Sequence, residues 1–268
     1  MLKLMYITNK PWVAKIAEAA GVDWIFIDME YLDKAERQGG MDTVQNHHTL
    51  EDVKAIKNCL STSKLLVRCN HIYDGSKAEI DTIINNGADI VMLPFFKTVR
   101  EVRQFIDYVG GRAKTCLLVE TPEAGMLIDE ILELPGIDMI HLGLNDMHLA
   151  LGMKFMFELL ADGTVDQLAK KIKAKGIPFG FGGIATLDGG AVPGSMILKE
   201  HYRLGSSMVI VSRSFCNTDV VTDEAEVRRI FIEGIGKLRQ MEEEAYAASH
   251  YFSDNHEAVV RAVKEIIK

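Results

Sequence analysis

The 268-residue chain is predicted to fold as one (β/α)8 TIM barrel followed by extra C-terminal helices. Short, nearly continuous apolar runs alternate with longer amphipathic stretches, which is typical of parallel strands that are buried on both faces. Four of these runs follow a helix-ending glycine turn, in the segments GVDWIFID, GADIVMLP, GIDMIHLG and GIPFGFGG. No linker rich in proline, glycine or serine interrupts the alternation, so residues 1–268 are predicted to form a single domain.

Eight apolar runs are predicted as the strands of this barrel. They cover residues 2–8, 24–28, 65–69, 90–93, 116–120, 139–142, 178–182 and 208–212. An open doubly wound sheet is the alternative architecture for the same alternation. However, no Gly-x-Gly-x-x-Gly follows the first run, as a dinucleotide-binding sheet of that kind would favour.

Amphipathic stretches between the runs are predicted as helices. They cover residues 49–59, 74–86, 98–108, 123–134, 164–175 and 194–204. A long C-terminal helix opens at Thr222 with an apolar stripe along one face, and a last helix covers residues 254–267. The polar, glycine-bearing residues 31–46 stand out after the second strand and are interpreted as an insertion.

Composition and charge limit the binding partners and the cellular compartment that we expect for this protein. Hydrophobic residues make up 48% and charged residues 25% of the chain, and the net charge is −8, which argues against nucleic acid or an anionic membrane as the main partner. The four cysteines show no Cys-x-x-Cys spacing, which is typical of a reducing compartment. No signal-peptide-like or membrane-spanning apolar run is present, so we expect a cytoplasmic protein that acts on a small molecule.

Acidic side chains at two neighbouring strand ends predict a metal site. Barrel active sites form at the carboxyl ends of the strands, where Glu120 ends the fifth strand and Asp146 follows the sixth. Two converging carboxylates favour a divalent cation, and carboxylate oxygens suit Mg2+ or Mn2+. The alternative is that Glu120 pairs with a barrel lysine or arginine and that Asp146 caps the next turn. Position alone does not separate these two interpretations.

Other strand ends supply candidate catalytic groups. Arg68 ends the third strand and would bind a carboxylate or stabilise an enolate oxygen, or would form a salt bridge with Asp28 or Glu30 at the end of the second strand. These two roles are compatible. His48 precedes the next helix, with His47 beside it, and is a candidate general base. The alternative for either histidine is a solvated residue at a helix entry.

Glycines after the seventh strand suggest a substrate-binding edge. Gly182 and Gly183 lie in GFGGIA, and Ser212 ends the eighth strand nearby in the predicted barrel. Their backbone N–H groups would hold a phosphate, or the glycines would only make room for a substrate. Lys97 is a candidate for a Schiff base, although a surface lysine at a helix start fits its position better. His141 lies within the sixth strand and is interpreted as a core histidine.

Several of these segments together resemble the HpcH/HpaI aldolase and citrate-lyase-like family of the phosphoenolpyruvate/pyruvate barrel superfamily. The resemblance rests on GVDWIFIDME, LLVR, GADIVMLP, LLVETPEA and GIDMIHLGLNDMHLALG, which occur in the family's order. It covers roughly residues 10–155, and the segments that contain Glu120 and Asp146 are the most specific. The last third of the chain matches mainly as barrel architecture.

The resemblance implies a metal-dependent pyruvate-type aldolase. Glu120 and Asp146 would bind Mg2+ or Mn2+, the cation would chelate the carboxylate and 2-oxo oxygens of the substrate, and Arg68 would stabilise the enolate. The expected reaction is cleavage or formation of a 4-hydroxy-2-oxo acid from pyruvate and an aldehyde. The family also implies a homo-oligomer in which the C-terminal helices, here residues 222–268, pack on a neighbouring subunit.

One departure from the family concerns the base. The family usually reads Asp-x-Glu-His, whereas Tyr31 follows Asp28 and Glu30 here. The segment that begins at His48 resembles the stretch that normally begins at that histidine, so His48 remains the expected base and His47 its substitute. Three alternatives stay open: a citrate-lyase-like acyl-CoA lyase, a phosphoenolpyruvate-using enzyme, and a non-catalytic metabolite-binding barrel.

Overall fold

A computed structural model describes residues 1–32 and 48–268. Within these ranges eight parallel strands pair in chain order and close into a barrel, with the first strand beside the eighth. The strands are β1 (Lys3–Ile7), β2 (Trp24–Asp28), β3 (Lys64–Arg68), β4 (Ile90–Leu93), β5 (Lys114–Val119), β6 (Met139–Leu142), β7 (Phe179–Ile184) and β8 (Met208–Val211). The predicted barrel is therefore confirmed. Each strand lies where the apolar runs predict it, with ends that differ by at most two residues.

Alternate residues of each strand face opposite sides of the barrel wall. In β2, Trp24 and Phe26 belong to the apolar cluster inside the barrel, whereas Ile25 and Ile27 belong to the cluster between the barrel and its helices. Because side chains alternate along a strand, the next residue in the inward series is Asp28. In the other strands, too, every second side chain points into the barrel as far as its carboxyl end.

Helices cover the outside of the barrel wall. They are α1 (Pro11–Ala19), α2 (Leu50–Cys59), α3 (Ser76–Asn85), α4 (Val99–Val109), α5 (Pro122–Met126), α6 (Ile128–Ile131), α7 (Leu144–Ala150), α8 (Glu158–Ala161), α9 (Thr164–Ala174), α10 (Gly194–Leu204), α11 (Glu224–Ala247) and α12 (Phe252–Ile266). The capping boxes at Thr49 and Thr98 begin α2 and α4, because each threonine accepts from the third helical N–H while the acid there accepts from the threonine N–H.

The single helix predicted for residues 123–134 is wrong in detail. The structure has two short helices there, α5 and α6, which are separated at Leu127, where ψ is 7°. Sequence periodicity also misses α1, α7 and α8. Of these, α7 and α8 span only 7 and 4 residues, which is too short for a helical repeat to emerge from the sequence.

The C-terminal helices pack on the barrel of their own chain. In α11, Val227, Phe231 and Ile235 are buried, and this helix lies against α1. Helix α12 lies against α10 and α8, and Asn255 donates from Nδ2 to Glu200 Oε1 at 2.9 Å. Packing of residues 222–268 on a neighbouring subunit stays a prediction. Of the helices in the described part of the chain, none combines the length and apolar character needed to cross a bilayer.

Candidate active site

A cavity of about 310 Å3 opens at the carboxyl ends of the strands. Four of the predicted site side chains line it together, namely Glu30, Arg68, Glu120 and Asp146, and so do Gly182 and Gly183. Its inner wall is formed by apolar residues that point into the barrel, among them Phe26, Met92 and Leu118. The cavity is thus charged at its rim and apolar at its base, which is the usual composition of a site for a small polar metabolite.

Two acidic residues fix the guanidinium of Arg68. Its Nε and Nη2 donate to the two carboxylate oxygens of Asp28, each at 2.8 Å, and Nη1 lies 3.3 Å from Glu30 Oε2. Burial alone would lower the pKa of Arg68, but the neighbouring charges of Asp28 and Glu30 outweigh it and raise this pKa well above its usual value. The predicted salt bridge therefore exists, and it holds a permanently charged group at the cavity.

Glu120 is a buried carboxylate with an exposed fraction of only 4%. The backbone N–H of Phe95 donates to its Oε1 at 3.0 Å. Burial raises the pKa of Glu120 well above its usual value, and the negative charges of Glu30 and Asp146 add to this effect against the opposing influence of Arg68. A buried carboxylate crowded by two others is costly to ionise unless a cation lies nearby. Glu120 is therefore well suited to be a ligand of a cation.

Asp146 reaches the same cavity from a different element. It lies in the first turn of α7, directly after β6, and is half-buried. Asn145 Nδ2 donates to Asp146 Oδ1 at 3.2 Å. In the described residues, no three His, Cys, Asp or Glu side chains converge as a complete ligand set. Two carboxylates with further oxygens from substrate and water are nevertheless the kind of site that Mg2+ commonly uses.

His48 lines a second, smaller cavity. This cavity, of about 130 Å3, is formed mainly by residues at and after the ends of β1 and β8, and Ser212 also lines it. His48 Nδ1 accepts a hydrogen bond from the backbone N–H of Asp28 at 3.0 Å. A neutral imidazole that accepts at Nδ1 carries its proton on Nε2. The structure thus places two predicted site residues, His48 and Ser212, next to the main cavity rather than in its lining.

His141 lines the main cavity, although the sequence suggested only a core role. Its Nε2 donates to the carbonyl oxygen of Gly182 at 3.1 Å, and Nδ1 is buried with no hydrogen-bond partner among the described residues. Burial lowers the pKa of His141 to about 4, so the ring is neutral at physiological pH. Met139 faces the barrel interior, so alternation along β6 directs His141, two residues later, to the same side. This pattern would have predicted His141 in the cavity.

The glycines of β7 shape the wall around His141. A Cβ on Gly180 would lie 2.9 Å from His141 Nδ1 and 2.3 Å from the carbonyl oxygen of Met208, so only glycine fits there. Gly182 has a φ of 48° and lies where the pairing of β7 with β8 is irregular. This bulge turns the Gly182 carbonyl towards His141.

Two other predicted candidates lie elsewhere. Lys97 is not among the residues that line the main cavity, and its Nζ lies 3.7 Å from Glu123 Oε1 in an exposed ion pair. This agrees with the interpretation of Lys97 as a surface lysine. His47 and most of the predicted insertion lie outside the described residues.

Comparison with known proteins supports the resemblance of the sequence segments. The chain matches the family model described as HpcH/HpaI aldolase/citrate lyase over residues 3–175. Relatives named 2-keto-3-deoxy-L-rhamnonate aldolase, from Salmonella gallinarum and Escherichia coli K12, are 26% and 27% identical over 172 residues. The match covers 53% of this chain and 58% of each relative, so it spans little more than half of their length.

Solved structures show the same fold. An HpcH/HpaI aldolase from Desulfitobacterium hafniense DCB-2 superposes with a TM-score of 0.61 at 15% identity, over 89% of this chain and 93% of that chain. A protein of the HpcH/HpaI aldolase/citrate lyase family from Burkholderia cenocepacia J2315 gives a TM-score of 0.62 at 17% identity, over 85% of this chain and 94% of that chain.

Proposed function

Because the chain belongs to the HpcH/HpaI aldolase/citrate lyase family, we propose that it is a divalent-metal-dependent aldolase. Its substrate would be a 4-hydroxy-2-oxo acid, which it would cleave to pyruvate and an aldehyde or form from them. The observation that carries this proposal is the presence of Glu120, Asp146 and Arg68 around one cavity. The matched relatives are named as aldolases of a 2-keto acid, which supports this class of substrate.

We assign the cation site to Glu120 and Asp146. Their carboxylate oxygens are hard ligands of the kind that Mg2+ and Mn2+ prefer, and the crowding of negative charge around Glu120 favours a cation there. When bound, the cation would polarise the 2-oxo group of the substrate as a Lewis acid. The chain's own residues then have to bind, orient and exchange protons with the substrate.

Arg68 is the cationic side chain of this scheme. Cleavage sends the electron pair of the C3–C4 bond to the oxygen of the pyruvate enolate, where negative charge develops. A guanidinium that is fixed by Asp28 needs little reorganisation to stabilise that charge. The salt bridge to Asp28 would therefore orient the charged guanidinium of Arg68 towards the enolate oxygen.

We assign the proton transfer to Glu30. Cleavage requires the 4-hydroxyl to lose its proton, and Glu30 is a cavity carboxylate that the scheme does not give to the cation. Glu30 would take this proton as the C3–C4 bond breaks and the aldehyde forms, and would then return it to C3 of the enolate to give pyruvate. His48 suits this role less well, because its Nδ1 accepts from Asp28 N–H and its ring lies beside the neighbouring cavity. We propose instead that His48 holds the end of β2, and through it Asp28, in place.

An assay of aldol chemistry tests the proposed function. The purified protein is incubated with pyruvate, Mn2+ and a panel of short aldehydes with and without hydroxyl groups, and the 4-hydroxy-2-oxo acid is measured. We expect product that disappears after exhaustive chelation with EDTA and returns when Mn2+ is restored. Activity that survives chelation would contradict the metal-dependent scheme. Cleavage of an acyl-CoA thioester in place of aldol chemistry would favour the citrate-lyase-like alternative.

A further inference from the structure

The backbone at Phe95 adopts an unusual conformation beside the cavity. Its φ is 47°, and among residues 1–32 and 48–268 no other residue except glycine has a positive φ. Side chains with a Cβ are disfavoured in this left-handed region, and a bulky residue there needs a reason in the surrounding structure. Phe95 follows β4 and Pro94, in the loop that leads to α4.

Two hydrogen bonds tie this loop to the end of β5. The N–H of Phe95 donates to Glu120 Oε1 at 3.0 Å, and the Thr121 hydroxyl donates to the carbonyl oxygen of Phe96 at 2.8 Å. Phe96 is fully buried, which anchors the loop on its other side. The left-handed backbone at Phe95 therefore lies between the buried Phe96 and the hydrogen bond to the Glu120 carboxyl group.

Glu120 is also constrained from β6. A Cβ at position 143 would lie 2.6 Å from Glu120 Cβ and 2.8 Å from Glu120 Oε2, so Gly143 leaves room that another residue would fill. Oε1 is thus occupied by the Phe95 N–H, while Oε2 lies beside Gly143, which directly precedes the helix that carries Asp146. The two carboxylate oxygens of Glu120 have different environments as a result.

We propose that Phe95 is a positioning residue for the cation site. Its strained backbone aims an N–H at one oxygen of Glu120 and thereby fixes the rotamer that presents the other oxygen to the cation. This inference rests on the proposed function, because it takes Glu120 as a cation ligand. Neighbours that orient the ligands of a metal in this way commonly change metal affinity by roughly 10- to 100-fold when they are altered.

The aromatic ring of Phe95, rather than its backbone, is a competing explanation for why a phenylalanine stands here, and the test has to distinguish the two. Lys97 Nζ lies 5.1 Å from the centre of the ring, and Lys97 pairs with Glu123 on the surface. If the ring were what matters, every substitution that removes it would have the same effect. If the backbone matters, the effect depends on how readily the new residue accepts a positive φ.

The test compares Phe95→Asn with Phe95→Val. Both variants remove the ring and have similar size, but asparagine accepts the left-handed conformation whereas a β-branched valine does not. We expect Phe95→Val to bind Mn2+ roughly tenfold more weakly than Phe95→Asn, as measured by isothermal titration calorimetry on the folded, metal-stripped protein. Circular dichroism and a melting curve establish that both variants are folded at the titration temperature.

A second pair covers the case in which Phe95→Val does not fold. Phe95→Gly and Phe95→Ala make the same comparison with less strain, and we expect Mn2+ affinities that differ by roughly fivefold. Equal Mn2+ affinity within both pairs, with clear binding by the wild-type protein, would overturn the positioning role and leave the proposed function intact. A wild-type protein that binds no Mn2+ would instead overturn the cation site and the positioning role together.

Discussion

Arg68 derives its fixed orientation from Asp28. The two nitrogens that bond to Asp28 hold the guanidinium plane, and Nη1 faces Glu30. A planar guanidinium can satisfy two carboxylate oxygens at once, whereas an ammonium group cannot. The sequence places these residues correctly because β2 and β3 are in register at Asp28 and Arg68, so the two strand ends lie side by side.

We therefore expect Arg68→Lys to lower kcat by roughly 100-fold while Mn2+ affinity changes little, because charge is kept but orientation towards the enolate oxygen is lost. Steady-state kinetics with pyruvate and the best aldehyde, together with Mn2+ titration, provide the measurement. Arg112→Lys is the matched control, since Arg112 pairs with Asp81 on the surface. A kcat for Arg68→Lys equal to that of the control would remove Arg68 from the reaction.

The roles assigned to Glu30 and His48 separate in a pH profile. We expect Glu30→Gln to lower kcat/KM by at least about 100-fold, and His48→Ala by less than about tenfold with the acidic limb of the profile retained. The measurement is kcat/KM with saturating Mn2+ over a range of about pH 5 to 9. Loss of the acidic limb in His48→Ala alone would return the role of base to that histidine.

Some parts of the site could not be predicted from single residues. The positions of Asp28, Arg68 and Glu120 at the carboxyl ends of predicted strands predict that they reach one rim, and the structure places them there. The hydrogen bond from the Phe95 N–H to Glu120 depends on a positive φ at Phe95. A glycine at this position would have suggested such a conformation, but a phenylalanine does not. The sequence places His48 just before α2, but it does not reveal that His48 lies beside residues at the ends of β1 and β8 rather than in the main cavity.

At the scale of elements, the bulge in β7 shapes the cavity wall. Gly182 adopts a φ of 48° there, and its would-be Cβ lies 3.2 Å from Leu144 Cδ1. The GFGG sequence predicts that the backbone lies close to a substrate, but it does not reveal that one glycine is needed for conformation. The bulge itself arises from pairing with β8, which is a property of the closed sheet.

We expect Gly182→Ala to destabilise the fold by about 1 kcal/mol or more and to weaken pyruvate binding to the Mn2+ form, because alanine strains the bulge and displaces the wall. Chemical denaturation and pyruvate titration measure the two effects. Gly176→Ala is the matched control, since Gly176 has a φ of 70° with no atom within 4 Å of its would-be Cβ. It should share the loss of stability but keep pyruvate affinity. Equal pyruvate affinity in both variants would contradict a role for the bulge in the site.

Strands were easier to predict than helices for a physical reason. Strands buried on both faces appear as apolar runs with little dependence on their neighbours, so all eight could be located. Helices α7 and α8 are too short to show a repeat, and they depend on tertiary packing, α7 against β7 and α8 against α9 and α12. The break between α5 and α6 occurs at Leu127, where ψ is 7°, and the apolar periodicity of this segment does not signal it.

At the scale of the whole molecule, barrel closure brings distant segments into one site. The cavity takes Glu30 from β2's end, Glu120 from β5's end and Asp146 from α7, which no local pattern brings together. The chain carries a net charge of −8, so an anionic substrate would require positive charge to be concentrated locally. Arg68 supplies part of this charge, and the proposed cation would supply the rest.

The buried ring of His141 links the stability of the molecule to pH. Burial lowers its pKa to about 4, below the value of 6.5 usual for the unfolded chain, so the unfolded state binds the proton first. The contribution of the neutral His141 ring to the free energy of unfolding is present above about pH 6.5 and is lost as the pH falls towards about 4. This group should therefore lower the free energy of unfolding by about 2 kcal/mol between about pH 7 and 5.

Denaturation of the metal-free protein at both pH values measures this contribution. We expect His141→Asn to lose about 2 kcal/mol less than the wild-type protein between about pH 7 and 5, whatever its stability at neutral pH. His250→Gln, at an exposed position, is the matched control. A pH dependence in His141→Asn that equals that of the wild type would show that His141 is not buried in its neutral form.

Calorimetric titration of the metal-stripped protein measures whether Glu120 and Asp146 hold one divalent cation on which pyruvate binding depends. We expect one Mn2+ per chain, pyruvate binding only in its presence, and Mn2+ affinity reduced by roughly 100-fold or more in Glu120→Gln and in Asp146→Asn. Glu123→Gln, three residues from Glu120 and partly exposed beside Lys97, should bind as the wild type does. Wild-type Mn2+ affinity in Glu120→Gln would show that Glu120 is not a ligand of the cation, and pyruvate binding without Mn2+ would show that the substrate does not depend on it.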